Sequence, residues 1–169
     1  KAANGHFQAR CTQHLGGLHA ARHDDLRLEQ IVSDVAADVR IEAEAKGCIL
    51  TTELPDQAPL RGDAALLASA IENVLRNALR FNPVGQPVEI RVTAQAGAWQ
   101  VEVRDHGPGV ADEYLARLGE PFFRAPQQSG SGHGLGLAIV RRSAERHGGH
   151  LELVNHVDGG FVARLTLPR

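Results

Sequence analysis

Three stretches with apolar residues at helical spacing alternate with two strand–turn–strand signals, and this alternation limits the possible folds more than any other feature. Leu28, Ile31, Val32, Val35, Val39 and Ala43 form the first helical stripe, with Gly47 as its stop signal. The second carries Leu66, Leu67, Ala70, Val74, Leu75 and Ala78; Asp63 is placed as its N-cap, and it runs to about Phe81. A third runs from Leu135 to His147 and closes on Gly148-Gly149. Strands are expected at Val88–Ala94 and Trp99–Arg104 around Gly97, and at Leu151–Asn155 and Phe161–Leu167 around Asp158-Gly159-Gly160. Cys48–Glu53 reads as a short strand followed by a turn at Pro55 and Pro59, and a short helical piece is expected near Asp112–Leu118. Helices interleaved with hairpins predict an α/β fold, a mixed sheet with helices packed on one face.

Composition narrows the function. A 169-residue chain with 43% hydrophobic residues can bury one ordinary core, built from Leu, Val, Ile and Ala because aromatics make up only 4%. The net charge of −2 gives no basic footprint for nucleic acid. No stretch approaches the roughly 18 apolar residues of a membrane span, and no secretory leader pattern is visible. Cys11 and Cys48 give no disulfide framework. Lysine occurs only at Lys1 and Lys46, against sixteen arginines, so a lysine-based phosphate loop is not available.

Three clusters have the chemistry to hold a nucleotide. Asn73, Asn77 and Arg80 fall at i, i+4 and i+7 on one face of the second helix. Asn is a mediocre helix former, and its carbonyl suits Mg²⁺, which keeps phosphate and water oxygens as its other ligands; a solvated helix face is the competing reading. Asp105-His106-Gly107-Pro108-Gly109 follows a strand. There a carboxylate could accept an amino proton while two glycines let a flat ring approach; an ordinary turn competes. Gly130 to Leu137 leads glycines into the third helix, whose N-terminus presents N–H groups to phosphate. This run has neither the dinucleotide-binding fingerprint nor a Walker lysine, and a flexible linker is its alternative.

Taken together, Asn73–Asn77, DHGPG at 105–109, EPFFR at 120–124 and GHGLGLAIV at 132–140 resemble the N, G1, F and G2 boxes of sensor histidine kinases, in order. That family sits in the ATPase group with type II topoisomerases, Hsp90 and mismatch-repair ATPases. The resemblance covers about residues 26–169 as a catalytic ATP-binding domain, with 1–25 as an appendage or linker remnant. It implies the two-layer Bergerat-type sandwich, with a mixed, mostly antiparallel sheet of about five strands and three helices on one face. It also implies roles for single residues. Asn77 would ligate Mg²⁺ with support from Asn73, and Arg80 and Phe81 would lie near phosphates and nucleotide. Asp105 would accept from the adenine amino group, with Gly107 and Gly109 admitting the ring. Residues 112–133 would form an ATP lid anchored by Phe122 and Phe123, with Arg124 reaching the γ-phosphate. Gly132, His133, Gly134, Leu135, Gly136 and Leu137 would bend the lid into the phosphate-binding helix.

The expected activity is transfer of the γ-phosphoryl group of Mg-ATP to a histidine on a separate dimerisation domain, for signalling to a response regulator. Phosphoryl transfer needs positioning and charge neutralisation more than a covalent catalyst. No segment matches the phosphoacceptor motif; His23-Asp24-Asp25-Leu26-Arg27 comes nearest but reads as a polar approach to the first helix. The chain is therefore expected as a monomer or weak dimer, the cytoplasmic domain of an inner-membrane sensor with no membrane contact of its own. A related ATPase that uses ATP as a clamp, and a non-catalytic nucleotide-sensing module, are the alternatives. Residues 3–10 faintly resemble the end of a HAMP linker, and Cys11, His14, His19 and His23 match no established zinc spacing. Residues 124–132 offer little to bury and are expected to be mobile without ligand.

Overall fold

The computed structural model describes residues 24–126 and 134–169. The elements are β1 (Asp24–Arg27), α1 (Leu28–Ala45), β2 (Ile49–Glu53), β3 (Pro59–Gly62), α2 (Ala64–Phe81), β4 (Pro87–Gln95), β5 (Ala98–Arg104), α3 (Asp112–Leu115), α4 (Gly136–Arg146), β6 (His150–Asn155) and β7 (Phe161–Pro168). Five strands form one sheet in the order β2-β4-β5-β7-β6. Only β2 and β4 run parallel; the other pairs are antiparallel. This is the mixed, mostly antiparallel α/β sandwich that the sequence predicts, with α1, α2 and α4 as its helical layer.

The alternation along each strand explains the layering. Val88, Ile90 and Val92 of β4 and Trp99, Val101 and Val103 of β5 are buried with Leu67, Ile71, Val74 and Leu75 of α2 in one core. The intervening side chains form a charged outer face: Arg91 pairs with Glu53 at 2.6 Å, and Arg164 bridges Glu102 and Glu152 at 2.7 and 2.9 Å. A second, smaller core joins Val110, Leu118, Ala125 and Phe161, with Tyr114, Phe123 and Leu137 against it.

Helix α2 starts where the sequence places it. The Asp63 carboxylate accepts from the N–H groups of Ala65 and Leu66 at 3.0 and 3.1 Å, which satisfies two of the donors a helix start leaves open. Two expectations are corrected. The Pro55–Pro59 region is not only a turn, and the polar approach to α1 carries a strand: β1 pairs antiparallel with β3 over Asp24–Arg27 and Pro59–Gly62. Arg27 and Glu29 hold this ladder onto α1. The buried Glu29 carboxylate accepts from Ala58 N–H and from Arg27 Nε, both at 2.8 Å. Residues 1–23, with the HAMP-like stretch, Cys11, His14, His19 and His23, lie outside the described residues, as do 127–132 of the stretch expected to be mobile.

The HGG turn after α4 shows why those residues end the helix. His147 Nδ1 lies 2.6 Å from the Ser143 carbonyl and so carries the proton, while Nε2 accepts from Asp63 N–H at 3.0 Å. The ring thus ties the end of α4 to the start of α2, and a Cβ at Gly62 would fall 2.6 Å from Nε2. His147→Ala is expected to cost about 1–3 kcal/mol, the scale of a partly buried N–H left without its acceptor. Urea or thermal unfolding measures this; an unchanged midpoint would mean that the ring only fills space.

Candidate functional site

A cleft of about 290 Å³ opens between α2 and the ends of β5 and β7, lined by Asn77, Phe81, Asp105, Gly109, Val110, Leu118, Leu137 and Phe161. Its lining fits a small-molecule site: apolar walls with two polar groups. Asn77 and Phe81 lie one turn apart on α2, so both reach it. Asp105 follows β5, where its N–H donates to the Phe161 carbonyl at 3.0 Å. Leu137 comes from the first turn of α4.

Asp105 is only 2% exposed. Its Oδ1 accepts from Gly107 N–H at 2.8 Å and from Phe161 N–H at 3.2 Å. Oδ2 has no hydrogen bond among the described residues, which leaves one strong acceptor on the cleft side. Burial pushes this carboxyl above its ordinary value; the Gly107 and Phe161 hydrogen bonds and the nearby His106 and Arg104 only partly oppose it. The folded domain therefore carries a buried, half-satisfied acid. A ligand with an N–H to donate would relieve it.

The glycines of this loop have structural reasons that the sequence did not supply. A Cβ at Gly107 would fall 2.6 Å from the Phe81 carbonyl, so this glycine lets the loop pack on the end of α2. Gly109 lines the cleft with φ +71°, and a Cβ there would meet Asn155 Oδ1 at 2.7 Å. At the opposite end of the cleft, Asn73 Nδ2 donates to the Ser69 carbonyl at 2.8 Å, and its Oδ1 would lie 3.1 Å from a Cβ at Gly136. Glycine thus brings the start of α4 against Asn73. Helix α4 has no side-chain cap, so its first-turn N–H groups keep their capacity for an acceptor. The Arg80 guanidinium sits 5.2 Å from the Phe81 ring, and its Nη2 is buried with no partner among the described residues.

The segment between α3 and α4 departs from expectation at one residue. The Phe123 ring packs against the smaller core, 6.1 Å from Tyr114, with Arg117 4.1 Å above it. Phe122 does not; it is 75% exposed, with φ +66°. Its N–H donates to the Gly134 carbonyl at 3.1 Å, and Gly134, at φ +69°, has no room for a Cβ against the Phe122 and Phe123 backbone. The backbone of the two phenylalanines, rather than both rings, is what meets the chain leading into α4. Arg124 lies on the surface beside the buried Ala125. Gly132 and His133 lie outside the described residues.

The model for histidine kinase-, DNA gyrase B-, and HSP90-like ATPases matches residues 62–169. The chain belongs to this family. It is 37% identical to the sensor protein QseC of Escherichia coli K12 over 143 residues, which cover 84% of this chain and 31% of QseC. Among solved structures, the mycobacterial sensor histidine kinase MprB superposes with a TM-score of 0.80 at 26% identity, covering 86% of this chain and 97% of that one. Full-length ShkA in complex with AMPPNP reaches 0.78 at 26% identity, over 90% of this chain and 32% of ShkA. The chain thus corresponds to the ATP-binding catalytic domain of a sensor histidine kinase and spans about 30% of the length of the QseC relatives it matches.

Within this domain the structure brings Asn77, Phe81, Asp105, Gly109 and Leu137 to one cleft, with Asn73 against Gly136 at the start of α4 and Arg80 over the Phe81 ring. Val110, Leu118 and Phe161 complete the lining and were not singled out in the sequence, because single apolar residues outside any motif carry no signal. Among the described residues no helix is long and apolar enough to cross a membrane, and no three His, Cys, Asp or Glu side chains form a metal cluster. Asn77, which makes no side-chain hydrogen bond to any described residue, and the nearby Asn73 carbonyl fit Mg²⁺ with phosphate and water as its remaining ligands.

Proposed function

We propose that this domain holds Mg-ATP in the cleft and transfers its γ-phosphoryl group to a histidine on a separate dimerisation domain. The buried Asp105 carries the reading, because its unpartnered oxygen is the acceptor an adenine amino group requires. Phe81, Val110, Leu118 and Phe161 would sandwich the ring, and Gly109 would let it lie close to the backbone. The phosphates would run toward α4, whose first-turn N–H groups at Gly136 and Leu137 carry positive potential, and Arg80, whose Nη2 has no partner among the described residues, would add a cation. Mg²⁺, held by Asn77 and Asn73, would neutralise phosphate charge. Arg124 would reach the γ-phosphate, and Gly132, Gly134 and Gly136 would bend the lid into the phosphate-binding helix, with His133, Leu135 and Leu137 in the same nucleotide-binding run.

These groups position and neutralise, while the attacking nitrogen comes from elsewhere. The acceptor would be the dimerisation domain of the same kinase, the phosphoryl group would pass on to a response regulator, and the domain would work on the cytoplasmic side of an inner-membrane sensor. Residues 26–169 would be the working unit, with the ladder from Asp24 closing its edge.

The deciding experiment mixes this chain with a histidine-bearing dimerisation domain and γ-labelled ATP. Acid-labile, base-stable label on that domain is expected. Steady ATP hydrolysis without a histidine partner would instead mark a clamp-type ATPase, and ATP binding with no transfer would mark a sensing module.

A further inference from the structure

We propose that Asn82 and Asn155 are positioning residues for base recognition: two side-chain amides, neither lining the cleft, hold its base-reading loop in shape. The inference rests on the proposed ATP site. The loop from His106 to Val110 makes no backbone–backbone hydrogen bond among the described residues. Side chains instead engage the N–H groups of His106, Gly107 and Val110 and the Val110 carbonyl. Asn82, 3% exposed just beyond α2, accepts from His106 N–H through Oδ1 at 2.9 Å, while its Nδ2 donates to the carbonyls of Gln86 at 2.7 Å and Pro83 at 3.3 Å. Asn155, the last residue of β6, takes Val110 from both sides: Oδ1 accepts from its N–H at 2.9 Å and Nδ2 donates to its carbonyl at 2.6 Å. The same Nδ2 reaches Asp112 Oδ1 at 3.2 Å, at the start of α3.

The loop is thereby pinned at its two ends, next to Asp105 and at Val110, with the Asp105 carboxylate as the third tie through Gly107 N–H. At both positions the side chain accepts and donates at once, which an amide does with two separate atoms. A carboxylate would lose the donor, and at 155 it would also face Asp112. The position of Asp105 Oδ2 and of the Gly109 backbone depends on this frame, and an ordered frame removes part of the entropy that binding would otherwise cost.

Asn155 is partly exposed, so water can replace its lost bonds and Asn155→Ala is expected to fold. The test compares adenosine and inosine triphosphates, which differ at the group Asp105 would read. The wild type is expected to prefer ATP. In Asn155→Ala that preference should narrow by about fivefold, the effect of one neutral hydrogen bond, and the Val110 amide should lose its protection from hydrogen exchange. A merely structural role would weaken both nucleotides equally; an unchanged ratio with a faster-exchanging Val110 overturns the proposal. Should Asn155→Ala melt at the assay temperature, Asn155→Asp reads the same ratio with the acceptor toward Val110 N–H kept. A wild type that binds neither nucleotide would sink the ATP site itself, a distinct result.

Discussion

Replacing Asp105 by Asn is expected to weaken ATP binding about ten- to a hundredfold while making the nucleotide-free domain more heat-stable. The two effects share one cause. Oδ1 of Asp105 is already engaged by Gly107 and Phe161, so an Asn there would keep its carbonyl oxygen toward those donors and turn its NH₂ toward the cleft. A donor would then face the donor of the adenine amino group. Losing a charged hydrogen bond costs about 1.5–3 kcal/mol, which gives the stated range of affinity. Without nucleotide, the same change removes a buried charge.

The pH dependence has a definite sign. The folded-state pKa of Asp105 is raised, so below the ordinary carboxylate range both folded and unfolded chains hold the proton and the group costs nothing. As pH rises the unfolded chain ionises first and stability falls, until the full penalty is present above the folded-state pKa. The advantage of Asp105→Asn over wild type should therefore be larger at pH 8 than at pH 4. Binding runs the other way: ATP affinity of the wild type should decline as pH falls through that raised value, and the variant should lose this dependence. Calorimetric titration with thermal melts at both pH values measures each part. Equal ATP affinity in the two proteins would remove Asp105 from the site.

Much of this was legible in the sequence because the carriers are local. The N-cap of α2 was visible from Asp63 and the apolar stripe after it, and the hairpin β6–β7 from Asp158-Gly159-Gly160. Asp105 stood out as an acid placed between a strand and two alternate glycines. The ladder β1–β3 was not visible, because Asp24-Asp25-Leu26-Arg27 and Pro59-Leu60-Arg61-Gly62 have no alternation of their own. Their pairing is fixed by Glu29, a buried acid whose partner Ala58 lies 29 residues away. Asn82 and Asn155 were equally silent. One follows a helix and the other ends a strand, both ordinary places for asparagine, and only the packing of α2 and β6 around one loop gives them a shared task. Phe122 and Phe123 show the opposite limit: two identical neighbours invite one role, yet the chain direction half-buries one ring against the smaller core and leaves the other in solvent.

Asn77→Ala should separate metal use from base recognition and reduce phosphotransfer to background. Asn77 lines the cleft beside Phe81, on the same face of α2 as Asn73, and its amide makes no hydrogen bond among the described residues. It therefore carries no structural duty that alanine would break, and alanine is the better helix former by a few tenths of a kcal/mol. The melting temperature should hold or rise slightly. Nucleotide affinity in the presence of chelator should stay within a few-fold of wild type, because Asp105 and the apolar walls are untouched. What should vanish is the strengthening of ATP binding on adding Mg²⁺, together with transfer to a supplied histidine domain. Paired titrations with and without Mg²⁺ read the first independently of any activity. If the variant keeps its Mg²⁺-dependent gain in affinity, the ligand oxygen belongs to another residue, and Asn73, whose carbonyl lies against Gly136 at the start of α4, is the next to test.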